Sequence, residues 1–440
     1  MFNVFVNKHL IWSRTTELIH LHLMRLKGVS YFLLCVFIHI FLVAQEVTEK
    51  APGENIKSVQ FSGIKKKEAF PLIELGEELI LDFDDLNADE ADYYYRVKYY
   101  NHDWTPSQLF SNEYIEGYDN LRIDNYNTSF NTLQSYTHYQ LKLPNENINF
   151  KISGNYILEI YSSEDHLVFS RRFCIFEPLA SIQTAVYRPQ NMDRFMSHQS
   201  IHFTITLNKG IIRNPKENLH VLIIQNRQWG QNIKGLSPQY HKGQTLEYRY
   251  EFPSQFEGGN EYLFFDTKDL RVSTPNISFI NRADLYESYL NIDVPRFYSN
   301  YTYSPDINGG FEIRNIMRPG DPNSEADYSY VYFSLAADYK LNEDEIFIYG
   351  GFNNYNFSDE NKMYYNPALE VYEGILILKQ GFYNYKYVVK QNNSININAL
   401  SGSHSLTEND YLILAYYRFI GGQYDALIGF GSANSFELQN

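Results

Sequence analysis

The sequence has 440 residues, of which 44% are hydrophobic and 20% charged, and its formal net charge at pH 7 is −15. This length predicts more than one domain, and the balance of residues excludes wholesale disorder and collagen-like repetition. The acidic charge argues against a nucleic acid partner, since phosphates need a basic face, and against docking on an anionic membrane surface.

The first predicted element is a secretory signal peptide in residues 1–44. The basic stretch Met24-Arg25-Leu26-Lys27 precedes an apolar run from Val29 to Val43 and the small residue Ala44. This order is typical of a cleaved export signal, so we expect cleavage near Ala44, with Met24 as an alternative start. A membrane anchor and a lipid on Cys35 are the other interpretations, but the run is shorter than the ~20 apolar residues of a spanning helix. We expect no membrane span after cleavage.

Beyond a polar linker, short runs of alternating apolar and polar residues predict β-strands along the rest of the chain. The 39 tyrosines and 31 phenylalanines also favour strands. Turn residues separate most runs, and no amphipathic pattern of helix length occurs. The sequence therefore predicts an all-β fold of three tandem β-sandwich domains, with boundaries at 45–180, 181–297 and 298–440.

The pattern of ionisable residues offers little for catalysis or for cofactor or metal binding. No phosphate-binding loop, nucleophile elbow or zinc-protease motif is present. Six acidic residues between Asp82 and Asp92 suggest either calcium binding or a solvated acidic loop, and we favour the loop because the glycine and glutamate of an EF-type loop are missing. We expect no catalytic residue, no cofactor and no metal. An unrecognised active site near His102, Asp103 and Trp104 is the enzymatic alternative.

Tyrosines occur consecutively at several places, for example in Tyr99-Tyr100 and Tyr416-Tyr417. Adjacent strand residues point to opposite faces, so we expect one tyrosine of each pair to be exposed. Exposed tyrosines suit a protein or sugar partner, although an all-β fold can enrich tyrosine without any partner. The single cysteine outside the signal, Cys174, is expected to be a buried, inert thiol.

An ordered set of motifs runs through the first predicted domain. It comprises Tyr95-Arg96-Val97-Lys98-Tyr99-Tyr100-Asn101-His102-Asp103-Trp104-Thr105-Pro106-Ser107, Glu113-Tyr114-Ile115-Glu116-Gly117-Tyr118, Asn125-Tyr126-Asn127-Thr128, Tyr136-Thr137-His138-Tyr139, Ser153-Gly154-Asn155-Tyr156 and Arg171-Arg172-Phe173. In this order the motifs resemble the N-terminal domain of the type IX secretion system plug proteins of Bacteroidota. The likeness continues at Tyr187-Arg188-Pro189 and Gln225-Asn226, with Trp229 nearby, and covers most of 55–440.

This resemblance implies a mechanical function. Proteins of this family are non-catalytic periplasmic plugs that dock at the inner mouth of the outer-membrane translocon barrel and close it when no cargo passes. It implies a periplasmic location at the outer membrane, the barrel subunit as partner, and a monomer within that complex. Tyr99, His102, Asp103, Trp104 and Tyr355 are the candidate partner-binding residues.

A second resemblance lies near the C-terminus. The segment Ile348-Tyr349-Gly350-Gly351-Phe352-Asn353-Asn354-Tyr355 and the later Gly381-Phe382-Tyr383-Asn384-Tyr385-Lys386-Tyr387 resemble the early-set immunoglobulin-like module found beside glycogen-active enzymes. In those modules a tryptophan at the turn stacks on sugar rings, whereas this chain has Tyr355. The resemblance implies an early-set β-sandwich for 298–440, so the expected fold is three tandem immunoglobulin-like or early-set β-sandwich domains. It also makes a carbohydrate-binding protein the alternative function.

Overall fold

The computed structural model describes residues 47–63, 70–336, 344–391 and 394–439. The predicted signal peptide in 1–44 lies outside these residues. In the described part, strands alternate with turns and longer loops, and the few helices are short: α1 (Ser111–Tyr114), α2 (Pro215–Asn218), α3 (Pro322–Glu325) and the 3₁₀ turns Gly351–Asn353, Asp359–Asn361 and Ser435–Glu437. The prediction of an all-β fold of β-sandwiches is confirmed.

The strands of the first core are β1 (Ile56–Gly63), β2 (Leu72–Glu74), β3 (Leu79–Asp85), β4 (Tyr93–Tyr100), β5 (Ile115–Gly117), β6 (Leu121–Arg122), β7 (Tyr126–Thr128), β8 (Thr137–Leu143), β9 (Ile148–Phe150), β10 (Gly154–Ser162) and β11 (Leu167–Phe176). They form a sandwich of a four-stranded sheet, β1-β3-β8-β7, and a five-stranded sheet, β2-β11-β10-β4-β6. Every second residue of β3 faces the core, so Leu79, Leu81 and Phe83 are buried there. Phe83 stacks on Tyr139 of the neighbouring strand β8 with ring centroids 5.0 Å apart.

The second core begins with strands that follow directly on the first core. They are β12 (Ala180–Tyr187), β13 (His198–Leu207), β14 (Leu219–Gln225), β15 (Asn232–Lys234), β16 (Tyr240–Lys242), β17 (Thr245–Tyr248) and β18 (Gln255–Glu257). One sheet has the order β12-β13-β17-β16, with β18 also paired to β13. The side chains of Ile201, Phe203 and Ile205 on β13 alternate into this core.

The third core consists of strands from the middle and later parts of the chain. They are β19 (Leu263–Asp266), β20 (Ile277–Arg282), β21 (Tyr286–Leu290), β22 (Phe311–Ile313), β23 (Tyr328–Ala336), β24 (Glu345–Tyr349), β25 (Tyr364–Asn366), β26 (Val371–Lys379), β27 (Gly381–Gln391) and β28 (Ser394–Asn396). One sheet has the order β20-β21-β23-β26-β25, and the other is built around β27, with β19, β22, β24 and β28 as its partners.

The last two strands, β29 (Asp410–Tyr417) and β30 (Ala426–Asn434), return to the second core. β29 pairs antiparallel with β14 from Leu219↔Tyr417 to Gln225↔Tyr411, which completes the sheet β15-β14-β29-β30. The packing thus divides the chain differently from the expected segments 181–297 and 298–440, because β19–β21 belong to the third core and β29–β30 to the second. As independently folding units, the expected segments 45–180, 181–297 and 298–440 remain a prediction.

Candidate functional site: the junctions between the cores

The predicted residues His102, Asp103 and Trp104 form a tight turn after β4. The Asp103 carboxylate accepts hydrogen bonds from the backbone N–H of Thr105 at 3.0 Å and from its hydroxyl at 2.6 Å. Trp104 has a positive φ of 64° and donates its backbone N–H to the carbonyl of Asn101. An acidic side chain that binds nearby backbone groups stabilises this kind of turn. The turn directs His102 and Trp104 toward the second core.

His102 binds a buried carboxylate of the second core. Its backbone N–H and its ring Nδ1 lie 3.2 and 3.0 Å from Oδ2 of Asp425, to which Arg418 donates two further hydrogen bonds. Burial raises the pKa of Asp425, but the hydrogen bonds from His102 and Arg418 lower it more, so it lies well below the usual range. The His102 ring stacks on His220 of β14 at 3.6 Å. These contacts fasten the turn to the second core.

Trp104 is buried where the first and second cores meet. Its ring packs edge-to-face on Trp229 with centroids 5.1 Å apart, and the guanidinium of Arg172 lies over it at 4.5 Å. Trp229 in turn packs on Phe70 of the first core at 4.6 Å. Aromatic pairs and cation–π contacts of this kind add to the stabilisation that comes from burial. We call this set of contacts, together with those of His102 and Tyr99, the first–second junction.

Tyr99 is also buried in the first–second junction. Its hydroxyl lies 3.1 Å from two carbonyl oxygens, those of Ser153 in the first core and Asp425 in the second. Glycine is required at position 154, because its φ is positive and an added Cβ would collide with the hydroxyl and ring of Tyr99. Cys174 is free and buried, as expected, and burial raises the pKa of its thiol to about 12.

The expectation that one tyrosine of each consecutive pair is exposed is wrong for two of these pairs. Tyr99 and Tyr100 are both buried, and so are Tyr416 and Tyr417. The alternation itself is present, but another core covers the second face of these sheets, for example where the Tyr416 hydroxyl donates to Asn155 of the first core. Local periodicity cannot show this, because the covering residues are distant in the sequence.

Tyr355 lies apart from the other four candidate residues, near the contact between the second and third cores. It is half-buried with a positive φ of 56°, and its ring packs on Tyr349 at 5.1 Å. The Tyr349 hydroxyl donates to Gln228 of the second core, whose amide donates to the Tyr262 hydroxyl at 2.7 Å. The structure therefore places the Tyr355 ring against protein rather than on an open platform for a sugar ring.

A third junction, between the first and third cores, contains a buried ion pair that the sequence analysis missed. Lys379 of β26 donates to Asp84 of β3 at 2.7 Å, and the two residues are 1% and 0% exposed. The same carboxylate accepts from the Tyr328 hydroxyl at 2.6 Å, and its other oxygen lies 2.7 Å from Nδ1 of His138. The expected solvated acidic loop is thus corrected for Asp84 and Asp85, which are buried. We call this set of contacts the first–third junction.

The electrostatics of the first–third junction favour the charged forms of its acid and its histidine. Burial raises the pKa of Asp84, but Lys379 and His138 lower it more, so the net direction is downward. Burial lowers the pKa of His138, but hydrogen bonds to Asp82 and Asp84 raise it more, so the net direction is upward. The arrangement therefore pairs the Asp84 carboxylate of the first core with the Lys379 ammonium of the third core.

We expect His138 to stabilise the protein most at low pH. Its folded pKa is raised above the ordinary value of 6.5, so its contribution is complete below that pH and is lost as the pH rises through the folded pKa. The measurement is the loss of unfolding free energy in His138→Gln at about pH 5.5 and about pH 8.5, which should be larger at the lower pH. The exposed His166 supplies the control variant His166→Gln. A loss that is equal at both pH values would contradict the assignment.

Within the described residues, no group of three or more histidine, cysteine or acidic side chains is arranged to hold a metal ion. Among the same residues, no helix has the length and apolar character that crossing a membrane requires.

Comparisons with known proteins give a family match and similar solved structures. Residues 56–177, which span the first core, match the family described as the type 9 secretion system plug protein 1st domain. A hypothetical protein from Parabacteroides merdae ATCC 43184, known from a crystal structure, is 31% identical, with a TM-score of 0.84, over 89% of this chain and 100% of that one. The BSP domain of a biofilm associated protein gives 10% identity and a TM-score of 0.19, over 89% and 60%. No curated protein matches the chain.

Proposed function

This chain belongs to the type 9 secretion system plug protein family, and we propose that it is a non-catalytic periplasmic subunit that binds and occludes the periplasmic end of the outer-membrane translocon. The observation that carries the proposal is the family match over the first core. The proposed location is the periplasm, at the outer membrane, and the proposed state is one copy within the translocon complex.

The junctions between the cores support this proposal because they make the body stiff. A plug has to resist the passage of solutes, and a hinge between sandwiches would leave gaps around it. Lys379 and Asp84 tie the first core to the third core, while His102 and Trp104 tie it to the second. Buried charge pairs and aromatic contacts hold such junctions in one arrangement, whereas a wet polar contact would allow the cores to move.

The test of this function is the permeability of the outer membrane. Deleting the gene should admit large antibiotics that the intact membrane excludes, because the barrel is then left open. Re-expression of the wild-type protein should restore exclusion. The leak should also vanish when the barrel subunit is deleted as well, since the barrel is the proposed path. Unchanged permeability in the single deletion, or a leak that persists without the barrel, would contradict the proposal.

A further inference from the structure

One face of the third core carries aromatic side chains that are half-buried or exposed. On the outer side of the sheet β20-β21-β23-β26-β25, Phe279, Tyr289, Tyr332 and Ile375 lie directly opposite one another on four successive strands. We call this row the aromatic ladder. Phe279 is 51% exposed and Ile375 is 50% exposed, and Tyr330 and Tyr364 on neighbouring rows are exposed as well. The ladder is thus a continuous apolar strip across the sheet.

The rings of the ladder stack on one another across the strands. Phe279 and Tyr289 have centroids 4.3 Å apart and an interplanar angle of 7°, and Tyr289 and Tyr332 have centroids 4.2 Å apart and an angle of 9°. Neighbouring rings therefore occupy most of the flat ring faces, and the edges remain for a partner. A sugar ring needs a free aromatic face to stack on, so this geometry favours a protein partner over a glycan.

The outer face of this sheet is already an interface at one end. Strand alternation places Tyr328, Tyr330 and Tyr332 of β23 on the same face, together with Lys379, Ile377 and Ile375 of β26. The first core covers the Tyr328–Lys379 end through Asp84 and Tyr136. Two and four residues further along the same strands, Tyr330 and Ile375 are exposed, and Tyr332 and Ile377 are half-buried. The ladder therefore continues the first–third junction into open surface.

Two carboxylates lie on either side of the ladder. Glu287 accepts hydrogen bonds from the Asn281 amide at 2.9 Å and the Tyr289 hydroxyl at 3.3 Å, and Glu373 accepts from the Asn366 amide at 2.8 Å. These hydrogen-bond partners of the two carboxylates, among the described residues, are neutral amide and hydroxyl groups. A complementary surface would therefore be apolar in its centre and basic at its edges.

We propose that the aromatic ladder is a docking surface for a protein whose facing surface has an apolar strip flanked by lysine or arginine side chains. This inference rests on the proposed function, in which that protein is the translocon at its periplasmic end. The ladder residues would fill the apolar centre of the interface, and Glu287 and Glu373 would pair with the flanking cations. Buried aromatic and aliphatic anchors of this kind carry most of the binding energy in protein interfaces.

The test measures binding of the purified protein to outer-membrane vesicles from cells that lack its gene. Ile375→Glu places a charge in the ladder without touching the inner face of the sheet, and it should weaken binding at least about tenfold. The double variant Glu287→Lys/Glu373→Lys should weaken binding similarly, because it sets like charges against each other. Tyr240→Glu on β16 of the second core, where Tyr240 is 55% exposed, is the matched control and should bind as the wild type does.

The outcomes separate this inference from the proposed function. If the wild type does not bind, or binds equally to vesicles without the barrel subunit, the proposed function fails. If the wild type binds only when the barrel is present, but both ladder variants bind as tightly as it does, the docking surface is wrong and the function stands. A wild-type dimer in solution that Ile375→Glu dissociates would make a second copy the occupant and overturn the proposal.

A photocrosslinker keeps the test valid if Ile375→Glu fails to fold. Benzoylphenylalanine placed at Ile375 in cells should crosslink to the barrel subunit, whereas the same probe at Tyr240 should not. Crosslinking from Tyr240 alone would overturn the docking surface.

Discussion

Replacing Lys379 by methionine is expected to lower the free energy of unfolding by about 3–5 kcal/mol, because it leaves the Asp84 carboxylate buried without its cation. Lys379 also donates to the carbonyl of Asn323 at 2.7 Å and lies 4.1 Å from the centre of the Tyr136 ring. Methionine preserves the apolar packing of the lysine stem but supplies none of these charge interactions. Urea unfolding of the whole protein measures the loss, with intrinsic fluorescence and circular dichroism compared to detect stepwise unfolding.

The same junction supplies a matched control for this variant. Lys57 of the first core forms an ion pair with Glu360 of the third core, and the Glu360 side chain is exposed. Water screens such a pair, so Glu360→Ala should cost only about 0–1 kcal/mol. The double variant Lys379→Met/Asp84→Asn should recover part of the loss, since it removes the uncompensated charge. A loss in Lys379→Met no larger than that in Glu360→Ala would show that the buried pair does not hold the junction.

The sequence could predict the strands and the sandwiches because both follow from local alternation. In β3, for example, Leu79, Leu81 and Phe83 occupy every second position, separated by Ile80 and Asp82, and these three side chains are buried in the first core. Composition and turn residues then suffice for an all-β fold. The motif order also led to the family, which the comparisons bear out over the first core.

The junctions could not be predicted, because their partners are remote in sequence. Asp84 and Lys379 are 295 residues apart, and His102 and Asp425 are 323 residues apart. The pattern of β29 predicts a strand but does not say whether it joins the second or the third core. Likewise, Asp82 and Asp84 point away from the Leu81 side of β3, which predicts exposure unless something covers that face. The third core covers it.

The two junctions of the first core differ in their chemistry, and this gives them different sensitivities. The first–third junction depends on buried charge, so pH and the substitution of one ionisable group should affect it. The first–second junction adds ring packing around Trp104 and Trp229 to the contacts of Asp425 with His102 and Arg418. The tryptophan rings do not titrate, so their contacts should be insensitive to pH. Because protein interiors are densely packed, removing one ring should destabilise the junction.

Replacing Trp104 by alanine should therefore cost about 3–5 kcal/mol, the range for deleting a large buried aromatic side chain. The variant removes the edge-to-face contact with Trp229 and the ring beneath the Arg172 guanidinium. It keeps the turn itself, because the Asp103–Thr105 hydrogen bonds do not involve the indole. Hydrogen exchange should show faster opening at this turn and at Trp229, with little change around Lys379. Phe110→Ala is the control. Phe110 is exposed and directly precedes α1, so its replacement should hardly change the free energy of unfolding.

Combining Trp104→Ala with Lys379→Met tests whether the two junctions act together as tethers of the first core. The junctions share no residue, so the stability losses should add to within about 0.5 kcal/mol if each junction acts independently. Cells that express the combined variant should also have a more permeable outer membrane than cells with either single variant, because a first core that is released from both other cores no longer keeps the body rigid. A leak no greater than that of the single variants, at equal protein level, would show that occlusion does not require rigidity between the cores.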